Sequence, residues 1–87
     1  YKNSPEMITA FMDALDATVV DHGVVIEGVH YAEFEAVKEA FIDRKPGSRD
    51  RSACSRAFKD IFKQSEEMGA IRAINWTDGR RYLARSF

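Results

Sequence analysis

The apolar residues of this 87-residue chain change their period three times, and that succession limits the fold more than any single motif does. Met7, Ile8, Phe11, Leu15 and Thr18/Val19 recur at three- and four-residue steps, which draws one stripe on a helix. Ser4-Pro5-Glu6 opens that helix with an N-cap, a proline at the first helical position and an acid in the first turn. His22-Gly23 stops it, and Gly23 is expected as a left-handed C-cap. Val24 to Glu27 is a β-branched run between Gly23 and Gly28, read as a short strand. A second helix is expected from about Tyr31 to Ile42, with Phe34, Val37 and Ala40/Phe41 inward and Glu33, Glu35, Lys38 and Glu39 outward. Lys45-Pro46-Gly47-Ser48 is a loop.

Asp50 or Ser52 can cap a third helix that runs to about Glu67 and ends at Met68-Gly69. Its inner stripe is Cys54, Ala57/Phe58, Ile61/Phe62 and Met68. The tail reads as a hairpin, Ile71 to Trp76 and Arg80 to Phe87, around an Asp78-Gly79 turn. A two-residue turn there sets Trp76 opposite Arg81, Ile74 opposite Leu83 and Arg72 opposite Arg85 on one side of the ribbon. The expected class is α+β: three helices and a small antiparallel sheet, in the order helix, strand, helix, helix, strand, strand.

An 87-residue chain with 45% apolar and 11% aromatic residues can bury one modest core, so residues 1–87 are read as a single domain. The apolar runs are too short to cross a bilayer, and no charged-then-apolar leader is read. Cys54 is the sole cysteine; a lone thiol suits a reducing compartment, and the expected location is the cytoplasm. The chain opens at Tyr1 without an initiator methionine, so the expectation is a domain cut from a longer protein.

This element order resembles the winged-helix variant of the helix-turn-helix. The passage from Arg51 to Ile71, a helix ending in Met68-Gly69 and leading into a strand, is similar to the exit of helix three into the wing. The loop from Asp43 to Asp50 is longer than the tight turn of a simple helix-turn-helix. The resemblance implies a strand between the first two helices that pairs with the hairpin, a third helix that reads DNA, and a hairpin that serves as a wing. It extends to the winged-helix tails of plasmid and phage replication proteins and helicase-like ATPases.

Charge is sorted along the chain in a way that fits such a role. Residues 1–43 carry two lysines against nine acids, a net of -7, and residues 44–87 carry eleven bases against five acids, a net of +6. Ser52, Ser55, Arg56, Lys59 and Lys63 fall on one side of the third helix, opposite Phe58, Ile61 and Phe62, with Asp60 among them. Cations and short hydroxyls on an exposed face suit phosphates and base edges. Arg80 and Arg81 follow the hairpin tip and suit phosphate or a minor groove, or else guard a sheet edge. Trp76 with Arg81 is expected as a cation–π pair. Arg49 and Arg51 extend the basic region at the helix start. The expected ligand is DNA, held by Arg49, Arg51, Ser52, Ser55, Arg56, Lys59, Lys63, Arg80 and Arg81. That reading requires helix and ribbon to make one continuous cationic platform, with no glutamate between Lys59 and Arg80.

The acids on the second helix oppose DNA binding and suit a basic partner or the rest of a parent chain, which leaves a protein-interaction module as the rival reading. A third reading is an oligomerisation patch of Trp76, Leu83 and Phe87. No enzyme is expected. His22 and His30 are far from any nucleophile pattern, and Glu33 and Glu35 diverge on a helix. No Cys/His spacing fits zinc, and Gly47-Ser48 lacks the phosphate-loop pattern, so neither metal nor cofactor is expected.

Overall fold

A computed structural model describes residues 5–44 and 50–86. The fold is α+β, with three helices against a four-stranded antiparallel sheet. The elements are α1 (Pro5–His22), β1 (Val24–Ile26), β2 (Val29–Glu33), α2 (Phe34–Asp43), α3 (Arg51–Glu67), β3 (Ile71–Asn75) and β4 (Arg81–Arg85). The sheet order is β1-β2-β4-β3. The Ser4 cap, the loop residues 45–48, Arg49 and Phe87 lie outside the described residues.

One strand was hidden in the sequence. Residues 29–33, the last three of which the sequence pattern places in the second helix, form β2 instead, and α2 starts at Phe34. Tyr31 and Ala32 are both buried because neighbouring strand residues point to opposite sheet faces and both faces here are apolar. Glu33 ends the strand and caps α2, its carboxylate accepting the Glu35 backbone N–H. Val24↔Tyr31 and Ile26↔Val29 pair across a two-residue turn. Both turn residues have positive φ, 53° at Glu27 and 79° at Gly28, the geometry that favours Asn-Gly. Glutamate is a poor occupant of that region. Glu27→Asn is therefore expected to stabilise the fold by about 0.5–1 kcal/mol, read as a higher urea midpoint at unchanged slope.

Ala32 pairs with Leu83, and Ala73 with Leu83 on the other side, so β4 lies at the centre of the sheet. The face bearing these residues closes the main core with Phe11, Ala14 and Leu15 of α1, Val37 and Phe41 of α2, and Cys54, Phe58 and Ile61 of α3. The opposite face carries a second, smaller cluster of Tyr31, Tyr82 and Ala84, flanked by Ile26, Val29 and Ile74. Among the described residues, two ion pairs join sequence-distant elements. Arg85 of β4 binds Asp16 of α1 at 2.7 Å, and Arg51 of α3 binds Glu39 of α2 at 2.7 Å. The acidic and basic halves of the chain thus partly neutralise each other in space.

Three helix ends were foreseen in part. Asp50 caps α3, accepting from the Ala53 N–H at 2.8 Å. Gly69 closes α3 with φ 76°, its N–H donating to Glu66 O and that of Ala70 to Ser65 O, which satisfies two terminal carbonyls. Met68, expected on the inner stripe, is instead 62% exposed, because the helix has already ended. Gly23 is not a left-handed cap: positive φ occurs at Gly28, Gly69 and Gly79 among the described glycines.

The terminal hairpin has a three-residue loop, not two. Gly79 N–H donates to Trp76 O at 3.0 Å and Trp76 N–H to Arg80 O at 2.9 Å, with Gly79 at φ 82°. This is the turn-plus-bulge form of hairpin, and it moves the register by one residue. Asn75 faces Arg81, Ile74 faces Tyr82, and Arg72 faces Ala84. A one-residue slip sends every side chain to the other face. Leu83 is fully buried in the core, which removes it from any oligomerisation patch.

Candidate nucleic-acid interface

The outward face of α3 follows from its inward one. Cys54, Ala57, Phe58, Ile61 and Phe62 are buried, and Ser52, Arg56, Lys59, Asp60 and Lys63 are exposed, with Ser55 half-buried at the boundary. Helical spacing puts Ser52, Arg56, Lys59 and Lys63 on one strip. None of the three cations is ion-paired to a described residue. Arg51 is different. Its Nη2 lies 2.7 Å from both carboxylate oxygens of Glu39, and that hydrogen bond, then the charge of Glu39, raises its pKa above the ordinary arginine value. Arg51 ties α3 to α2, so its charge is already answered.

The tip of the terminal hairpin is organised by one carboxylate. Asp78 accepts the Arg80 backbone N–H at 2.9 Å and the Tyr82 hydroxyl at 2.7 Å. The Tyr82 hydrogen bond first, then that from Arg80, holds the Asp78 carboxyl below its usual range, and the same bond pushes the Tyr82 phenol up. Arg80 is exposed beside this braced turn.

Arg81 occupies the opposite face of the ribbon from the one expected. The slip in register takes it away from Trp76 and places its guanidinium carbon 5.3 Å from the Phe34 ring centre and 5.6 Å from that of Phe62. The cation–π contact exists, with different rings. Phe34 and Phe62 meet edge to face at 5.2 Å and continue inward to Phe58. Arg81 therefore caps the open end of the aromatic core.

Carboxylates occupy the ground around it. Glu66 shares a recess with Phe62, Asn75 and Arg81, and Glu33 and Glu35 share another with Phe34, Arg80 and Arg81. The expected continuous cationic platform is not formed. A cationic strip on α3 and a cationic hairpin tip are accompanied by carboxylates around Arg81. Asn75, Phe34, Phe62 and Glu66 were not singled out from sequence as site residues. The only signal for them was the ribbon register, which the loop length decides.

Among the described residues no group of three His, Cys, Asp or Glu side chains could hold a metal ion, and no helix is long and apolar enough to cross a membrane. Comparison of the chain with protein-family models, curated proteins and solved structures finds no match.

Proposed function

We propose that the chain is a winged-helix domain that binds nucleic acid, duplex DNA foremost, as part of a replication or regulatory protein. The observation that carries the reading is the strip of Ser52, Arg56, Lys59 and Lys63 on the solvent face of α3, with cations that no described carboxylate answers. The arrangement of the sheet supports it. The strand beside the second hairpin strand is β2, not the expected Val24 to Glu27 strand, which pairs with β2 at the edge; the β2-β4-β3 part of the four-stranded sheet is the part compatible with the resemblance. The single cationic platform is absent, so the reading rests on two separate contacts: Arg56, Lys59 and Lys63 meet phosphates and groove edges, and Arg80 holds a second stretch of backbone.

Binding of this kind releases counterions. Four phosphate contacts give a logarithmic salt slope of about -3.6, so affinity for a generic 16-base-pair duplex should fall roughly 100-fold between 50 and 200 mM salt. Fluorescence anisotropy measures this. The variant R56A/K59A/K63A should flatten the slope to about -1. A duplex that does not bind at 50 mM salt, or a triple variant that binds as well as the parent, removes the reading.

The mixed charge around Arg81 favours a second reading, a module that meets a protein partner. Capture of a partner fragment with no dependence on α3 cations would select it.

A further inference from the structure

Arg81 is the fixed point of a groove between the wing and α3. On one side a recess of about 210 Å³ is lined by Phe62, Glu66, Ala73, Ile74, Asn75 and Arg81. On the other, a wider recess of about 490 Å³ runs past Phe34 to Gly79 and Arg80. Arg81 and Asn75 line both, because they are cross-strand partners. Two rings hold the guanidinium from beneath, and the residue is otherwise exposed. An arginine so held is a stacking surface whose ordering cost is already met.

The charges decide what can enter. Glu66 shares the smaller recess with Arg81, so a phosphate is disfavoured there. A nucleobase carries no charge, stacks on a guanidinium, and offers amino groups to carboxylates. The smaller recess lies below the roughly 300 Å³ at which pockets for drug-sized ligands begin, which suits a single heterocycle. We infer that this recess takes one unpaired nucleobase of a strand whose phosphates lie on α3 and Arg80. The inference rests on the nucleic-acid reading above and adds a ligand class to it. Arg81 stacks on the base, Glu66 accepts from its exocyclic amino group, and Asn75 pairs with a neighbouring edge atom. Glu66 is acceptor-only when ionised, so cytosine is favoured over thymine, which has no amino group.

Binding is read by the fluorescence anisotropy of end-labelled strands, because Trp76, the sole tryptophan, lines a separate recess with Val25 and Tyr82. The titrants are ten-nucleotide strands of dC, of dT and of abasic sites, and a duplex. The dC strand should bind about 3- to 10-fold tighter than dT, and the abasic strand roughly 10-fold or more weaker than dC. Glu66→Gln should bring the dC:dT ratio towards one while tightening both strands, since a negative charge leaves the groove. Asn75→Ala should weaken the dC strand.

Equal affinity for all three single strands beside normal duplex binding overturns the base recess and leaves the phosphate reading standing. Failure of every polyanion overturns the phosphate reading. Cytidine alone, followed by NMR, then tests the recess: shifts at Phe62, Glu66, Asn75 and Arg81 retain it, and their absence ends it.

Discussion

Phe58→Ala should cost about 3–5 kcal/mol and lower the melting temperature by about 12 °C or more. Phe58 is fully buried, and its ring lies 5.3 Å from Phe11, 5.2 Å from Phe34 and 5.6 Å from Phe41, centre to centre. Among the described residues it is the α3 side chain whose ring meets rings of both α1 and α2. Truncation removes apolar burial, three ring–ring contacts and the common support of three helices. A domain of this size has a total stability of about 4–13 kcal/mol, so the loss is a large share of the whole. Phe58→Leu keeps most of the volume and should cost about 1–2 kcal/mol. Urea unfolding followed by circular dichroism measures both. A cost below about 1 kcal/mol for the alanine variant would mean that the helices are held elsewhere. The effect reaches function through Lys59, the next residue, whose place on the outer strip is set by this inner anchor.

The helices were legible because each carries a long, repeated stripe. Phe11 and Leu15, Val37 and Phe41, Phe58 and Ile61 all fall inward as their spacing says. The caps at Asp50 and Gly69 were legible because their chemistry is local. What was missed depends on pairing. Val29-His30-Tyr31 is too short to separate a strand from a helix start, and only its partners Ile26, Val25 and Val24 decide the matter. The hairpin register turned on one residue of loop length, which Thr77-Asp78-Gly79 does not announce. That single residue moved Arg81 from Trp76 to Phe34 and Phe62, and with it the character of the candidate site. Arg56, Lys59 and Lys63 were placed correctly on the outer face of α3 because helical geometry alone puts them there. The carboxylates around Arg81 come from α2, β2 and α3, and no one-dimensional charge count brings them together.

Gly23→Ala should destabilise the fold by about 2–3 kcal/mol, for a reason that differs from the usual one at glycine. A Cβ at this position would stand 2.2 Å from the Val19 carbonyl oxygen and within 3.1 Å of Val19 Cα. Both atoms are backbone of the last turn of α1, so no side-chain rotation relieves the clash. Either that turn unwinds or β1 moves away from the helix. Unwinding frees the last turn of α1, which ends at His22, and displacement pulls β1 from Tyr31. Gly28 supplies the control. It has φ 79° and nothing within 4 Å of a Cβ, so its constraint is torsional. Alanine there costs about 1–2 kcal/mol, and asparagine, which tolerates the left-handed region, recovers much of it. At Gly23 asparagine rescues nothing, because any Cβ meets the same oxygen. Thermal melts of the four variants separate the two causes. A Gly23→Ala protein as stable as the parent would show that α1 and β1 join with a slack that the 2.2 Å approach denies.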